Sequence, residues 1–224
     1  MNLKNLLIRN QRYKTCEVSD KFKKLINNST ISYEGIQLLE YIVNKTSPKI
    51  ILEFGSGLST LLFSKIKPKD SLLISVEDSS EYLEKTKKIL DQQQRNIILH
   101  HAPITKHFFN FRLFLSYSLS YLKYLKNIKI DLVFIDGPLA YKYGREFCIY
   151  AIRQYITNDT IFILDDSNRV KEQEALSNWH KVFKEGLELI ELKHIKNGVS
   201  VFRIKNPKKI VFFPFFFKRN FLFS

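Results

Sequence analysis

Residues 49–60 read Lys49-Ile50-Ile51-Leu52-Glu53-Phe54-Gly55-Ser56-Gly57-Leu58-Ser59-Thr60. A short apolar run, broken only by Glu53, stops at Gly55-Ser56-Gly57, and helical spacing resumes at Leu58, Leu61 and Leu62. Strand, glycine turn and helix follow from that pattern. The two glycines let the main chain turn sharply and approach a ligand, and the helix start offers unpaired N–H groups. Thr60 stands where a dinucleotide fingerprint would carry its third glycine, which demotes the NAD reading.

Working outward, Ile31, Ile36, Leu39, Ile42 and Val43 space as a helix that ends at Ser47-Pro48. Downstream, Ser71–Val76, Ile97–His100, Ile130–Ile135 and Thr160–Leu164 read as strands, with helical stretches near 80–92, 104–126 and 142–156. Continuous apolar strands separated by helices imply a parallel sheet covered on both faces. The rhythm changes at Leu187–Ile195 and Val199–Ile204, two extended runs joined by Lys196-Asn197-Gly198, a β-hairpin signal. The seven aromatics between Phe108 and Tyr124 read as helix packing against the sheet, with a substrate-side wall as the alternative.

A 224-residue chain, 45% hydrophobic and 26% charged, has the balance of one globular domain, which excludes disorder and a disulfide-stapled mini-protein. Its net charge of +14 suggests a polyanion partner. Yet residues 1–24 carry +5, residues 205–224 another +5, and residues 25–204 only +4. The expected organisation is a basic arm at 1–28, a domain at 29–204 and a basic, aromatic tail at 205–224. Cys16 and Cys148 form no metal or disulfide pattern. The N-terminal residues lack a signal-peptide pattern, and no run approaches the roughly 20 apolar residues of a membrane span. A cytoplasmic protein is expected, with the tail as a peripheral membrane contact.

An acidic residue on the first strand followed by G-x-G-x-S-T resembles motif I of class I S-adenosylmethionine-dependent methyltransferases. The resemblance covers about Ile31 to Ile204. It implies an α/β, doubly wound, mostly parallel seven-stranded sheet, the Rossmann-like methyltransferase fold, closed by the C-terminal β-hairpin. It also implies that Gly55, Ser56 and Gly57 contact the amino acid part of S-adenosylmethionine, with Glu53 close by. Ser59 and Thr60 either cap the helix or bond the cofactor carboxylate. Glu77, at the end of the second strand, is placed to grip the ribose diol, as Asp78 would be one register on. His101, Ala102 and Pro103 fall where adenine usually lies.

The fourth and fifth strands end in Asp136-Gly137-Pro138 and Asp165-Asp166. Strand ends of a parallel sheet share one edge, so Asp136, Asp165 and Asp166 are expected beside the glycine turn. They suit Mg²⁺, a hard cation that prefers carboxylate oxygens, as in similar catechol- and sugar-type O-methyltransferases. In a metal-free site Asp136, or His107, would take the proton of a substrate hydroxyl. Arg145 is read as a clamp for an anionic substrate group or as a salt-bridged helix residue. The combination EFGSGLST, VFIDGP with a downstream Arg, and ILDD resembles glycan O-methyltransferases, which implies a sugar hydroxyl as acceptor. The basic termini motivate two alternatives: an RNA methyltransferase, though no RNA-binding module or NPPY-like tetrapeptide is present, and a non-catalytic module attached to a membrane or complex.

Overall fold

The computed structural model describes residues 31–90, 95–139, 144–193, 195 and 197–211. The basic arm at 1–28, Cys16 and the tail beyond Val211 lie outside the described residues. Helix α1 (Tyr33–Thr46) is capped by Ser32, whose Oγ accepts from the Gly35 N–H at 3.1 Å, and ends at Ser47, φ 45°, just before Pro48. There follow β1 (Ile50–Phe54), α2 (Leu58–Ile66), β2 (Leu72–Glu77), α3 (Ser80–Ile89) and β3 (Ile97–His101). Strands β4 (Ile104–Phe109) and β5 (Arg112–Tyr117) precede a 3₁₀ segment (Leu119–Leu125), β6 (Ile130–Ile135), α4 (Gly144–Ile152) and β7 (Ile156–Asp165). The described elements close with α5 (Val170–Phe183), β8 (Leu187–Lys193) and β9 (Val199–Ile204).

Seven strands form one sheet in the order β3-β2-β1-β6-β7-β9-β8, parallel except where β9 pairs antiparallel with β7 and β8. Side-chain alternation sorts the core into two layers. Leu52, Phe54, Val133 and Ile135 pack on one face with α4 and α5, whereas Ile51, Leu132 and Phe134 pack on the other with α1 and α2. Both faces are therefore covered, as the continuous apolar strands required.

One expectation fails. The stretch 104–126 is not a helix: β4 and β5 form a separate two-stranded antiparallel sheet, followed by the 3₁₀ segment. Asn110 and Phe111 make its two-residue turn with φ of 50° and 61°, the left-handed pair that suits a tight hairpin. In β5, Phe114 and Ser116 are buried while Leu113 is exposed, a period of two.

This hairpin is clamped onto α4 by a charged contact. Arg112 Nη1 and Nη2 reach Glu146 Oε1 and Oε2 at 2.6 and 3.1 Å, and Glu146 also accepts from Tyr150 and Asn178, each at 3.0 Å. Glu146 is 1% exposed, and burial pushes its carboxyl up against the pull of Arg112. Truncating one member of such a pair leaves the other charged and buried. Glu146→Ala is expected to lower stability by about 3–5 kcal/mol, read as a reduced urea midpoint.

Candidate active site

Strand register sets the geometry. Phe54 pairs with Val76 on one side and Ile135 on the other, so Gly55, Glu77 and Asp136 each lie one residue past the same rung. Ile135 pairs in turn with Leu164, which brings Asp165 level with Asp136. Ligands of parallel sheets bind beyond these carboxyl ends.

The two glycines do different work. Gly55 has φ 94°, donates to Val76 O at 2.8 Å, and a Cβ there would sit 3.0 Å from the Gly137 nitrogen. Its freedom is spent on the Asp136-Gly137 turn, whose two N–H groups donate to Phe54 O at 2.9 and 2.8 Å. Gly57, by contrast, faces open space: a Cβ there would meet nothing within 4 Å. That leaves an opening at the start of α2, where the sequence resemblance expects the amino acid part of the cofactor.

Glu53 is fully buried and acts behind the turn. Its Oε2 accepts from Thr60 Oγ1 and Ser75 Oγ, both at 2.6 Å, while Thr60 Oγ1 accepts from the Gly57 N–H at 2.9 Å. Glu53 and Thr60 therefore hold the turn from beneath and present no surface to a ligand; Ser59 is 4% exposed. Burial pushes Glu53 up to about 7, against the pull of the Ser59, Ser75 and Thr60 hydroxyls. Because the folded value lies above the ordinary 4.5, the stability this group contributes is full below pH 4.5 and is lost as pH rises to about 7. Between pH 5 and 7 the Tm of the chain should therefore fall more steeply with rising pH than that of Glu53→Gln, whose amide cannot titrate.

Glu77, 7% exposed, accepts from the Ser56 N–H at 2.7 Å and the Ser79 N–H at 2.9 Å. Burial raises its carboxyl, and these backbone donors oppose the rise. Two carboxylate oxygens have more acceptor positions than these bonds fill. His101 is paired with Glu77 across β2 and β3, exposed, with Nε2 3.0 Å from Asp78 O. Ala102 corrects the adenine reading. It has no exposed surface, belongs to the core and donates to Glu77 O at 2.7 Å, so its side chain cannot line a ligand.

The three aspartates do converge: Asp136, Asp165 and Asp166 each offer an oxygen within 4.8 Å of the others. Burial and its two acidic neighbours push Asp165 up to about 7. Arg145 supplies counter-charge, as Arg169 does 2.9 Å from Asp166 Oδ2, and of its two readings the structure agrees with the salt-bridged helix residue and not with the substrate clamp. Only 5% exposed, it donates to Asp165 O at 2.9 Å and to Asp136 O, and stands 3.4 Å from Asp136 Oδ1, Asp166 Oδ2 and Glu172 Oε1. A guanidinium at the buried start of α4, held by strand ends, is closed to a substrate anion. His107 likewise stands elsewhere: stacked on Phe147 at 4.4 Å, it contacts Thr105 Oγ1 and Tyr117 O through Nε2 and fastens the hairpin.

Asn197 escaped the sequence reading as a site contributor, and Tyr117 was singled out only as one of seven aromatics. Asn197, in the β8–β9 turn, donates through Nδ2 to Asp166 Oδ1 at 2.9 Å, so the hairpin helps fix the acidic cluster. Tyr117 ends β5 with its hydroxyl where a Gly137 Cβ would be, at 2.1 Å, and among the described residues that hydroxyl has no hydrogen-bond partner.

Comparison with known proteins agrees with this geometry. The family model described as a methyltransferase domain matches residues 52–167. No curated protein sequence matches the chain significantly. Among solved structures, an O-methyltransferase from Bacillus cereus in complex with S-adenosylhomocysteine superposes with a TM-score of 0.62 at 12% identity, over 91% of this chain and 95% of that one. The O-methyltransferase TomG from Streptomyces achromogenes, in complex with S-adenosylmethionine, gives 0.61 at 14% identity over 86% and 91%. An S-adenosylhomocysteine-bound methyltransferase from Podospora anserina gives 0.59 at 17% identity over 85% and 87%. At such identities the structures speak to fold, whereas the family match takes in over half the chain, from β1 and the glycine turn through Asp136 and the Asp165-Asp166 pair. The chain belongs to the methyltransferase-domain family, as a class I S-adenosylmethionine-dependent methyltransferase.

Proposed function

We propose that the chain is an O-methyltransferase whose acceptor is a hydroxyl group of a sugar or glycan. The observation that carries the oxygen acceptor is Asp136. Its side chain is 30% exposed, against 10% for Asp166, and it stands beside the glycine turn where the cofactor is expected. S-adenosylmethionine, when bound, would supply the methyl group from its sulfonium and end as S-adenosylhomocysteine, and Asp136 would take the proton that the acceptor hydroxyl gives up. The O-methyltransferases among the structural neighbours support this reaction class. The sugar rests on the likeness of the EFGSGLST, VFIDGP and ILDD segments to glycan enzymes.

The donor set fits Mg²⁺. Asp136, Asp165, Asp166 and Glu172 stand against two guanidinium groups, Arg145 and Arg169, the latter 2.9 Å from Asp166 Oδ2, which leaves an acidic excess. Asp136, Asp165 and Asp166 would hold the ion, which when bound orients and acidifies an acceptor hydroxyl. Methyl-labelled S-adenosylmethionine, offered with glycosides, catechols and RNA, tests the proposal. Label should enter alkali-stable methyl ethers of a glycoside, and EDTA should reduce it at least about tenfold. Label confined to RNA or to amines would overturn it.

A further inference from the structure

At the end of the molecule remote from the aspartates, three features meet. The first is the tip of the β4–β5 hairpin, where Phe108 is 74% exposed, Phe111 63% and Leu113 47%. Single exposed apolar residues are ordinary, but three flanking one turn form a patch. The second is basic. A cleft of about 610 Å³ is lined by Lys129, Lys208 and Lys209, with Asp159 its one carboxylate, and a second of about 350 Å³ lies between Arg153, Gln154 and Lys208. The Arg153 guanidinium joins the two regions, 5.2 Å from the centre of the Phe109 ring in the hairpin. The third is the exit of the chain. Val211 donates to Val182 O at 2.9 Å and accepts from Asn110 Nδ2, in the hairpin turn, at 3.1 Å. The described chain thus ends beside the hairpin turn, and the sequence that follows Val211, FFPFFFKRNFLFS, adds seven Phe and two cations with no carboxylate side chain.

We infer that this end of the molecule docks on an anionic lipid bilayer, with the hairpin tip entering the interface and the lysine clefts meeting the headgroups. Aromatic rings favour the interfacial region, and each nearby Lys or Arg adds attraction to an anionic leaflet. Both ingredients are present on the described surface itself, where they abut. The aspartate cluster stands at the opposite ends of the strands, so docking here leaves the cofactor opening accessible. Among the described residues no helix is long and apolar enough to cross a membrane.

Cosedimentation of the full chain with phosphatidylcholine vesicles, with and without about 30 mol% phosphatidylserine, tests this inference. The full chain should sediment with the anionic vesicles and remain in solution with the neutral ones. Phe108→Ser/Phe111→Ser and Lys208→Gln/Lys209→Gln should each weaken binding by roughly tenfold or more, with unchanged circular dichroism. A chain ending at Val211 should also bind more weakly. Equal sedimentation with neutral vesicles, or a tip variant that binds as the full chain does, would overturn the inference. So would tighter binding by the chain ending at Val211, which would place the tail on the tip as an intramolecular cover.

Discussion

Asp136→Asn is expected to lower kcat by about 10²–10⁴ while leaving the affinity for S-adenosylhomocysteine within about twofold. The amide is nearly isosteric, and what fixes residue 136 in place is its main chain: the N–H bonded to Phe54 O, and the carbonyl accepting from Arg145. The fold therefore keeps its hold on the residue while the side chain loses the ability to accept a proton. The same change removes one of the two acidic neighbours that push Asp165 up, so the Asp165 carboxyl should titrate at lower pH in the variant. Steady-state kinetics with saturating acceptor, paired with calorimetry on S-adenosylhomocysteine, separates the two effects. A variant with unchanged kcat would remove Asp136 from the chemistry. One that lost affinity and rate together would make it a support for the cofactor turn instead.

Features written in local sequence were legible before the structure. Glycine at 55 and 57, apolar runs at 50–54 and 130–135, and Asn197-Gly198 each force a backbone choice within a few residues, and the sheet order follows once these strands pair. The β4–β5 hairpin was not legible, because its turn is Asn110-Phe111. Phenylalanine in a left-handed position carries none of the glycine signal that marks such turns, and the abundant aromatics suited a helix equally well. The partners of Arg145 were not legible for another reason. They lie 9 to 27 residues downstream or upstream on three other segments, and only the shared strand edge brings them to one guanidinium. Glu53 and Thr60 illustrate the same limit: the motif placed them beside the cofactor turn, but only burial shows them beneath it.

The second large effect concerns Gly57. Because a Cβ at Gly57 meets nothing within 4 Å, a side chain there enters the opening and not the protein core. Its φ of 158° with ψ of −135° is a conformation that L side chains rarely adopt, so Gly57→Arg also strains the turn, and its fold is checked before binding is compared. The guanidinium would fill the opening and set a positive charge against a cofactor that carries an ammonium and, before transfer, a sulfonium. Gly55→Val is the contrasting change. At φ 94° and 3.0 Å from the Gly137 nitrogen it should damage the fold itself and lower Tm, which would confound any binding result.

Isothermal calorimetry of S-adenosylhomocysteine on the full chain and on Gly57→Arg, both checked for a cooperative thermal transition, is the most direct measurement. Saturable one-site binding by the full chain, weakened at least about a hundredfold in Gly57→Arg, is the predicted result. No binding by the full chain, or equal binding by a folded Gly57→Arg, would contradict the placement of the cofactor on this turn.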